Sequence, residues 1–345
     1  MDALGFVVVG CGNIAPVHAE AVRTARGARL VGFVGKSAAR AQAMAERFGV
    51  PASTDLDAML SRPDVGAVLI GTPSGTHAEL GIRAARAGKH VLTEKPIDVT
   101  LDRGQALIDA CQEHGVKLGV IFQSRFLPAV QLLKREIGRG QLGRIFMADA
   151  YVKWYREPAY YEAARWRGTL ALDGGGALIN QAIHTIDLLQ YLVGPVASVF
   201  GHTDRMLHQG IEGEDTAVAV VQFEAGALGV IQGSTALFPG FARRIEIHGE
   251  QGSVILEGDA IREWRLRGGG GEESELGRMA QRDAPGGPVD PTKPDVAGHR
   301  SQVEDFVEAV RHDRSPAVDG PEGLKALAIV LAVYRASREG RPVAL

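Results

Sequence analysis

The chain has 345 residues, more than one ordinary domain at about 100–200 residues each, so two domains are expected. Lys and Arg number 38 against 41 Asp and Glu, a net charge of −3 that supplies neither a basic field for nucleic acid nor a polybasic membrane patch. A composition of 45% hydrophobic and 23% charged residues excludes disorder, and 44 glycines, about 13% against a usual ~7%, point to tight turns and close backbone approaches. Cys11 and Cys111 form neither a disulfide framework nor a metal spacing, so a reducing, cytoplasmic compartment is expected and no metal site. Ala326–Tyr334, the longest apolar stretch near the C-terminus, falls far short of the ~20 residues that span a bilayer. No charged segment precedes Phe6, so no secretory signal is expected.

In chain order, the apolar run Phe6–Val9 breaks into glycines before a helix from Pro16 to Ala25, with proline suited to the first turn. Leu30–Val34 reads as a second strand, and Ser37 caps a helix ending at Gly49. Val65–Gly71, His90–Thr93 and Lys117–Phe122 are further strands, with helices over Thr76–Ala87 and Leu101–His114. Strands apolar on both faces and separated by helices predict a doubly wound parallel sheet, a Rossmann domain over residues 1–122.

A second domain is expected over residues 123–345. A helix at Pro128–Gly138, an extended segment Arg144–Tyr155 and one long helix Ala177–Val193 lead into six β-like runs between Val196 and Leu266. Their hairpin connections predict a mostly antiparallel sheet. Residues 268–298 hold eight glycines and four prolines and predict a long stretch without regular structure. Helices near His299–Arg311 and Pro321–Arg338 close the chain.

Gly10-Cys11-Gly12-Asn13-Ile14-Ala15 joins a strand to a helix in the GxGxx(G/A) pattern, which lets backbone approach a pyrophosphate at a helix N-terminus. Gly10, Gly12, Asn13 and Ile14 are therefore candidate dinucleotide contacts. At the end of the second strand, where an acid would hold the ribose 2′-OH of NAD, the chain reads Lys36-Ser37-Ala38-Ala39-Arg40. Lys36, Ser37 and Arg40 instead suit a 2′-phosphate and favour NADP(H) over NAD(H). The Gly71–His77 turn leaves the third strand at its carboxyl end and offers Thr72, Pro73 and His77 to the same cofactor. Glu94, Lys95 and Gln123 are further cofactor candidates, and Lys95 aims an ammonium at a reacting oxygen. In the second half, Gly174-Gly175-Gly176 precedes a helix on which Asn180, His184 and Asp187 share one face. Aromatic and cationic residues crowd positions 151–167, a composition suited to sugar rings and anions. From it Trp166 and Arg167 are cofactor candidates, while Lys153, Tyr155 and Tyr160 join Lys95, Arg125, Asn180 and His184 as substrate candidates; Arg156 and Arg165 are further possible anion holders.

Strand-GCGNIA, TPSGTHAE, EKP and GGGALINQAIHTID in this order resemble the glucose–fructose oxidoreductase / inositol dehydrogenase / MocA (Gfo/Idh/MocA) family over essentially the whole chain. The resemblance implies a Rossmann domain followed by an open-faced antiparallel sheet used for dimer or tetramer assembly. It also implies oxidation or reduction of a carbinol on a sugar or cyclitol, with the EKP lysine at Lys95 and the helix histidine at His184. Many members carry aspartate four residues before that histidine, where this chain has Asn180. In this it resembles the UDP-N-acetylglucosaminuronate 3-dehydrogenase subgroup, whose WRG and GGG…NQ segments look like Trp166-Arg167-Gly168 and residues 174–181. The implied chemistry has His184 as general base, Lys95 stabilising the oxygen and Asn180 orienting the hydroxyl. A non-catalytic dinucleotide-binding regulator and a ketosugar reductase are the alternatives.

Overall fold

The computed structural model describes residues 3–269, 271, 274–282 and 296–345. It divides into two compact units, one of Met1–Phe126 with Lys293–Leu324, the other of Leu127–Thr292 with Lys325–Leu345. The first unit thus takes in a C-terminal segment besides the residues up to 126.

In the first unit, β1 (Leu4–Val9), α1 (Ala15–Thr24), β2 (Ala28–Val34), α2 (Ala38–Phe48) and β3 (Ala52–Ser53) are followed by α3 (Leu56–Leu60) and β4 (Ala67–Ile70). Then come α4 (His77–Arg86), β5 (His90–Thr93), α5 (Leu101–Glu113) and β6 (Leu118–Val120). The strands form one parallel sheet in the order β3-β2-β1-β4-β5-β6, the Rossmann arrangement read from the sequence. β3 and α3 are too short to carry a periodic signal, and the sequence reading passed over them. Val7, Val8, Val68 and Leu69 are fully buried, as strands covered on both faces must be.

In the second unit α6 (Pro128–Gly138), β7 (Ile145–Lys153) and α7 (Pro158–Glu162) precede a π-helical segment, Ala177–Ala182, which runs into α8 (Ile183–Val193). β8 (Val196–Asp204), β9 (Thr216–Phe223), β10 (Leu228–Ser234), β11 (Arg244–Gly249), β12 (Gly252–Glu257) and β13 (Ala260–Leu266) follow. With β14 (Val343–Ala344) they make an eight-stranded sheet ordered β13-β12-β11-β7-β10-β9-β8-β14. All its pairings are antiparallel except β10 with β7. Two expectations are corrected here. The helix expected as one piece over 177–193 begins as π-helix. The stretch 268–298, expected to lack regular structure, contains α9 (Glu275–Arg282) and the start of α10 (Val296–Arg311); its residues 283–295 lie outside the described residues.

α10 belongs to the first unit because Val303, Phe306 and Val307 enter a core with Phe6, Val8, Ala19 and Val22. Burial of each such side chain stabilises by about 1.5–3 kcal/mol. Gln302 on the same helix bonds the backbone at β6, donating to Val120 O (2.7 Å) and accepting from Phe122 N (3.1 Å). α11 (Gly320–Glu339) ends the helical part of the chain. Among the described residues no helix is long and apolar enough to cross a membrane.

Candidate active site

At the carboxyl edge of the parallel sheet, Gly10 has φ +106°, and a side-chain carbon there would lie 2.5 Å from Gly71 O. Only glycine lets β1 leave the sheet this close to the turn after β4. α1 follows with no side-chain cap and no acid in its first turn, so its N-terminal N–H groups suit a phosphate. These are the features a dinucleotide needs, and the chain has them. At the end of β2, Lys36, Ser37 and Arg40 are all exposed, and Ser37 Oγ accepts from Arg40 N at 3.4 Å as the cap of α2.

Thr72 and Thr76 share a hydroxyl–hydroxyl bond of 2.7 Å, and Thr76 Oγ1 donates to Pro73 O at 2.7 Å, so the turn after β4 is internally tied. His77, expected to line the cofactor, is instead buried. Its Nδ1 lies 2.8 Å from Pro96 O and its Nε2 2.9 Å from Thr72 O. The ring clips the Thr72 turn to the bend after β5, and burial pushes its pKa down against the pull of those two carbonyls. Asp98, fully buried, reinforces the same join by accepting from Ala78 N (2.9 Å), Val99 N (2.7 Å) and Arg103 Nε (2.7 Å).

Glu94 and Lys95 leave the end of β5 half-buried, ahead of a cis Lys95–Pro96 bond. Glu94, expected among the cofactor contacts, is engaged inside the unit. His18 Nε2 lies 3.1 Å and His299 Nε2 4.0 Å from its Oε1, while its Oε2 accepts from Lys95 N at 3.1 Å. Burial works to raise this carboxyl, but His18, His299 and Lys95 hold it well below the usual carboxylate range. The ligand atoms of His18, Glu94 and His299 all lie within 4.8 Å of one another, and no other such group occurs among the described residues. Arg125, expected to meet substrate, is 3% exposed and ion-paired with Glu322 at 3.0 Å. Gln123 opens the 3-10 turn that contains it.

In the second unit the triple glycine is a matter of space. A side-chain carbon at Gly175 would lie 2.4 Å from the Tyr334 hydroxyl, and one at Gly176 would lie 1.8 Å from Glu214 O. Glu214 is buried beneath this turn. It accepts from Gly176 N (3.0 Å), Leu178 N (2.6 Å) and Tyr334 Oη (2.9 Å), capping the segment that carries Asn180. Burial pushes its carboxyl up to about 7, against the pull of those donors. Ile179, Ile183, Ile186 and Leu189 are buried, whereas Asn180 and His184 are half-buried. Asp187, one turn beyond His184 on α8, is 1% exposed.

Tyr160 sits at the centre of the aromatic segment. The Arg167 guanidinium lies 4.1 Å and that of Arg156 5.4 Å from its ring centre, and Trp166 lies 6.0 Å from Arg167. Lys153 stacks on Tyr151 at 5.0 Å, and Tyr155 meets Phe238 edge-on at 5.4 Å, outside the Tyr160 group. Sequence reasoning missed His18, His299, Asp98, Asp173, Glu214 and Tyr334. The signal for two of them was faint: Asp173 directly precedes the glycines, and Glu214 lies two residues before β9.

The Oxidoreductase family, NAD-binding Rossmann fold model matches residues 4–122, and the Oxidoreductase family, C-terminal alpha/beta domain model matches 134–345. The chain belongs to the Gfo/Idh/MocA family. Among solved structures it is similar to the WlbA dehydrogenase of Bordetella pertussis in complex with NADH and UDP-GlcNAcA. That likeness has 35% identity and a TM-score of 0.90, and covers 100% of this chain and 98% of that one. Inositol 2-dehydrogenase of Rhizobium meliloti is 29% identical over 99% of this chain and 98% of its own length. The scyllo-inositol 2-dehydrogenase (NAD(+)) of Bacillus subtilis is 28% identical over 98% and 95%. These Gfo/Idh/MocA relatives are dehydrogenases of sugars and cyclitols, oxidoreductases acting on CH–OH groups.

Proposed function

We propose that this Gfo/Idh/MocA member is a nicotinamide-dependent dehydrogenase that interconverts a secondary alcohol and a ketone on a sugar, sugar nucleotide or cyclitol. The observation that carries the reading is Lys95 at the carboxyl end of β5, on the sheet edge where Gly10 and the uncapped α1 suit a dinucleotide. A bound nicotinamide supplies the hydride acceptor. His184 takes the hydroxyl proton on its imidazole, a role suited to that ring near neutral pH. The Lys95 ammonium stabilises charge on the same oxygen as the proton leaves, and Asn180 orients the hydroxyl. Lys36 and Arg40, exposed at the end of β2 with no acid beside them, favour NADP(H) over NAD(H).

The chain works as a homodimer or homotetramer. One face of the second sheet supports this: Met147, Val218, Val220 and Leu228 are 48%, 50%, 54% and 55% exposed, a patch suited to a second copy. Cys11 and Cys111 are free thiols, in keeping with a reducing, cytoplasmic compartment. The test is a panel of sugars, UDP-hexuronates and inositols with each dinucleotide, followed by absorbance of the reduced nicotinamide. Turnover with at least one substrate and a lower KM for NADP than for NAD are expected. Dinucleotide binding without turnover across the panel would favour the regulator instead, and a tenfold lower KM for NAD would overturn the cofactor preference.

A further inference from the structure

Asn180 lies in a hydrogen-bonded chain whose direction is set at both ends. Arg156 Nη2 donates to Gln181 Oε1 at 2.7 Å. Gln181 Nε2 donates to Asn180 Oδ1 at 2.9 Å and lies 2.8 Å from the Tyr160 hydroxyl. Asn180 Nδ2 then donates to Asp173 Oδ1 at 2.5 Å. A guanidinium only donates and a carboxylate only accepts, so neither amide can turn over without setting donor against donor or acceptor against acceptor. Asp173 is itself fixed: it is 1% exposed, and its Oδ2 accepts from Gly168 N at 2.7 Å. Gly168 O in turn accepts from Glu212 N and Gly213 N, both at 2.9 Å, which anchors the Trp166-Arg167-Gly168 segment.

We infer that Asp173 is a positioning residue that sets the direction of the Asn180 amide, and that positions 173 and 180 must together hold one carboxylate and one amide. The inference rests on the proposed role of Asn180 and adds the group that orients it. Asn180→Asp places two carboxylates in contact, which cannot both ionise at that distance. Asp173→Asn sets two donors face to face unless Asn180 turns, and that turn moves the same conflict to Gln181. The double swap Asp173→Asn with Asn180→Asp relieves both. Asn at 173 accepts from Gly168 N and donates to Asp at 180, which still accepts from Gln181.

The experiment measures Tm, cofactor affinity and kcat for the wild type, both single variants and the double swap. Each single change is expected to lower Tm, and the double swap to restore most of the loss. Asp173→Asn is expected to lower kcat on the order of ten- to a hundredfold with cofactor affinity unchanged, the scale of a misplaced catalytic group. Asn180→Asp at wild-type Tm, or a double swap no more stable than its worse parent, overturns the pairing. Full kcat in a destabilised Asp173→Asn variant reduces Asp173 to a structural part and overturns the positioning role. Wild type that turns over no substrate would sink the dehydrogenase reading, while the Tm cycle would still decide the pairing.

Discussion

Lys95 and His184 carry different parts of the proposed chemistry, and their removal should differ accordingly. General-base catalysis contributes about 10²–10⁴-fold, so His184→Ala is expected to lower kcat within that range and leave dinucleotide affinity intact, as fluorescence titration would show. Lys95→Ala should lower kcat further, because stabilisation of developing charge is usually the largest single contribution. Near-wild-type turnover in either variant would remove that residue from the mechanism. Both positions were legible in the sequence because each ends a short local pattern, an apolar strand closed by Glu-Lys-Pro and a helix behind three glycines. The partners of the neighbouring Glu94 were not. His18 and His299 reach Glu94 from helices far apart in the chain, and no spacing rule links them. His77 is buried against the turn after β4, with one ring nitrogen beside Pro96 O and the other beside Thr72 O, partners that no local pattern announces.

At the scale of the element, the π-segment and α8 depend on a cap supplied from 38 residues away by Glu214. Its folded carboxyl keeps its proton up to about pH 7, whereas the ordinary glutamate value is 4.5. The folded state therefore binds more protons across that window. Glu214's contribution is fully present below about 4.5 and is lost as pH rises through about 7, by roughly 1.4 kcal/mol per unit at most. Urea midpoints at about pH 5 and about pH 8 should show this decline in the wild type and a flatter profile in Glu214→Gln, which also loses part of the cap. Equal slopes in the two proteins would contradict it. Periodicity marked the helix over 177–193 but missed its π start, because the widened turn follows from packing rather than from residue type. There Gly233 lets Leu178 approach β10 so closely that a side-chain carbon would sit 2.7 Å away.

At the scale of the whole molecule, alternation along β9 buries Ala217, Ala219, Val221 and Phe223 and exposes Val218 and Val220. Val220→Glu puts a charge in the middle of that apolar face. It is expected to shift the protein towards monomer in analytical ultracentrifugation while its far-ultraviolet circular dichroism stays unchanged. A wild type that sediments as a monomer at all concentrations would remove the second copy from the proposal. The doubly wound parallel class of the first sheet was legible from strands alternating with helices, whereas β3 and the return of α10 were not. Nothing in the sequence of a helix names the sheet it will cover.

That return has a consequence for the nascent chain. When residue 126 leaves the ribosome, six parallel strands are available but Phe306 and Gln302 are not yet made. At roughly 5–20 residues per second, synthesis of the missing helix lags by some ten to forty seconds. Through that interval the apolar patch around Phe6 and Val8 must be shielded by chaperone or by transient collapse, so the half translated first waits on a helix made near the end of synthesis.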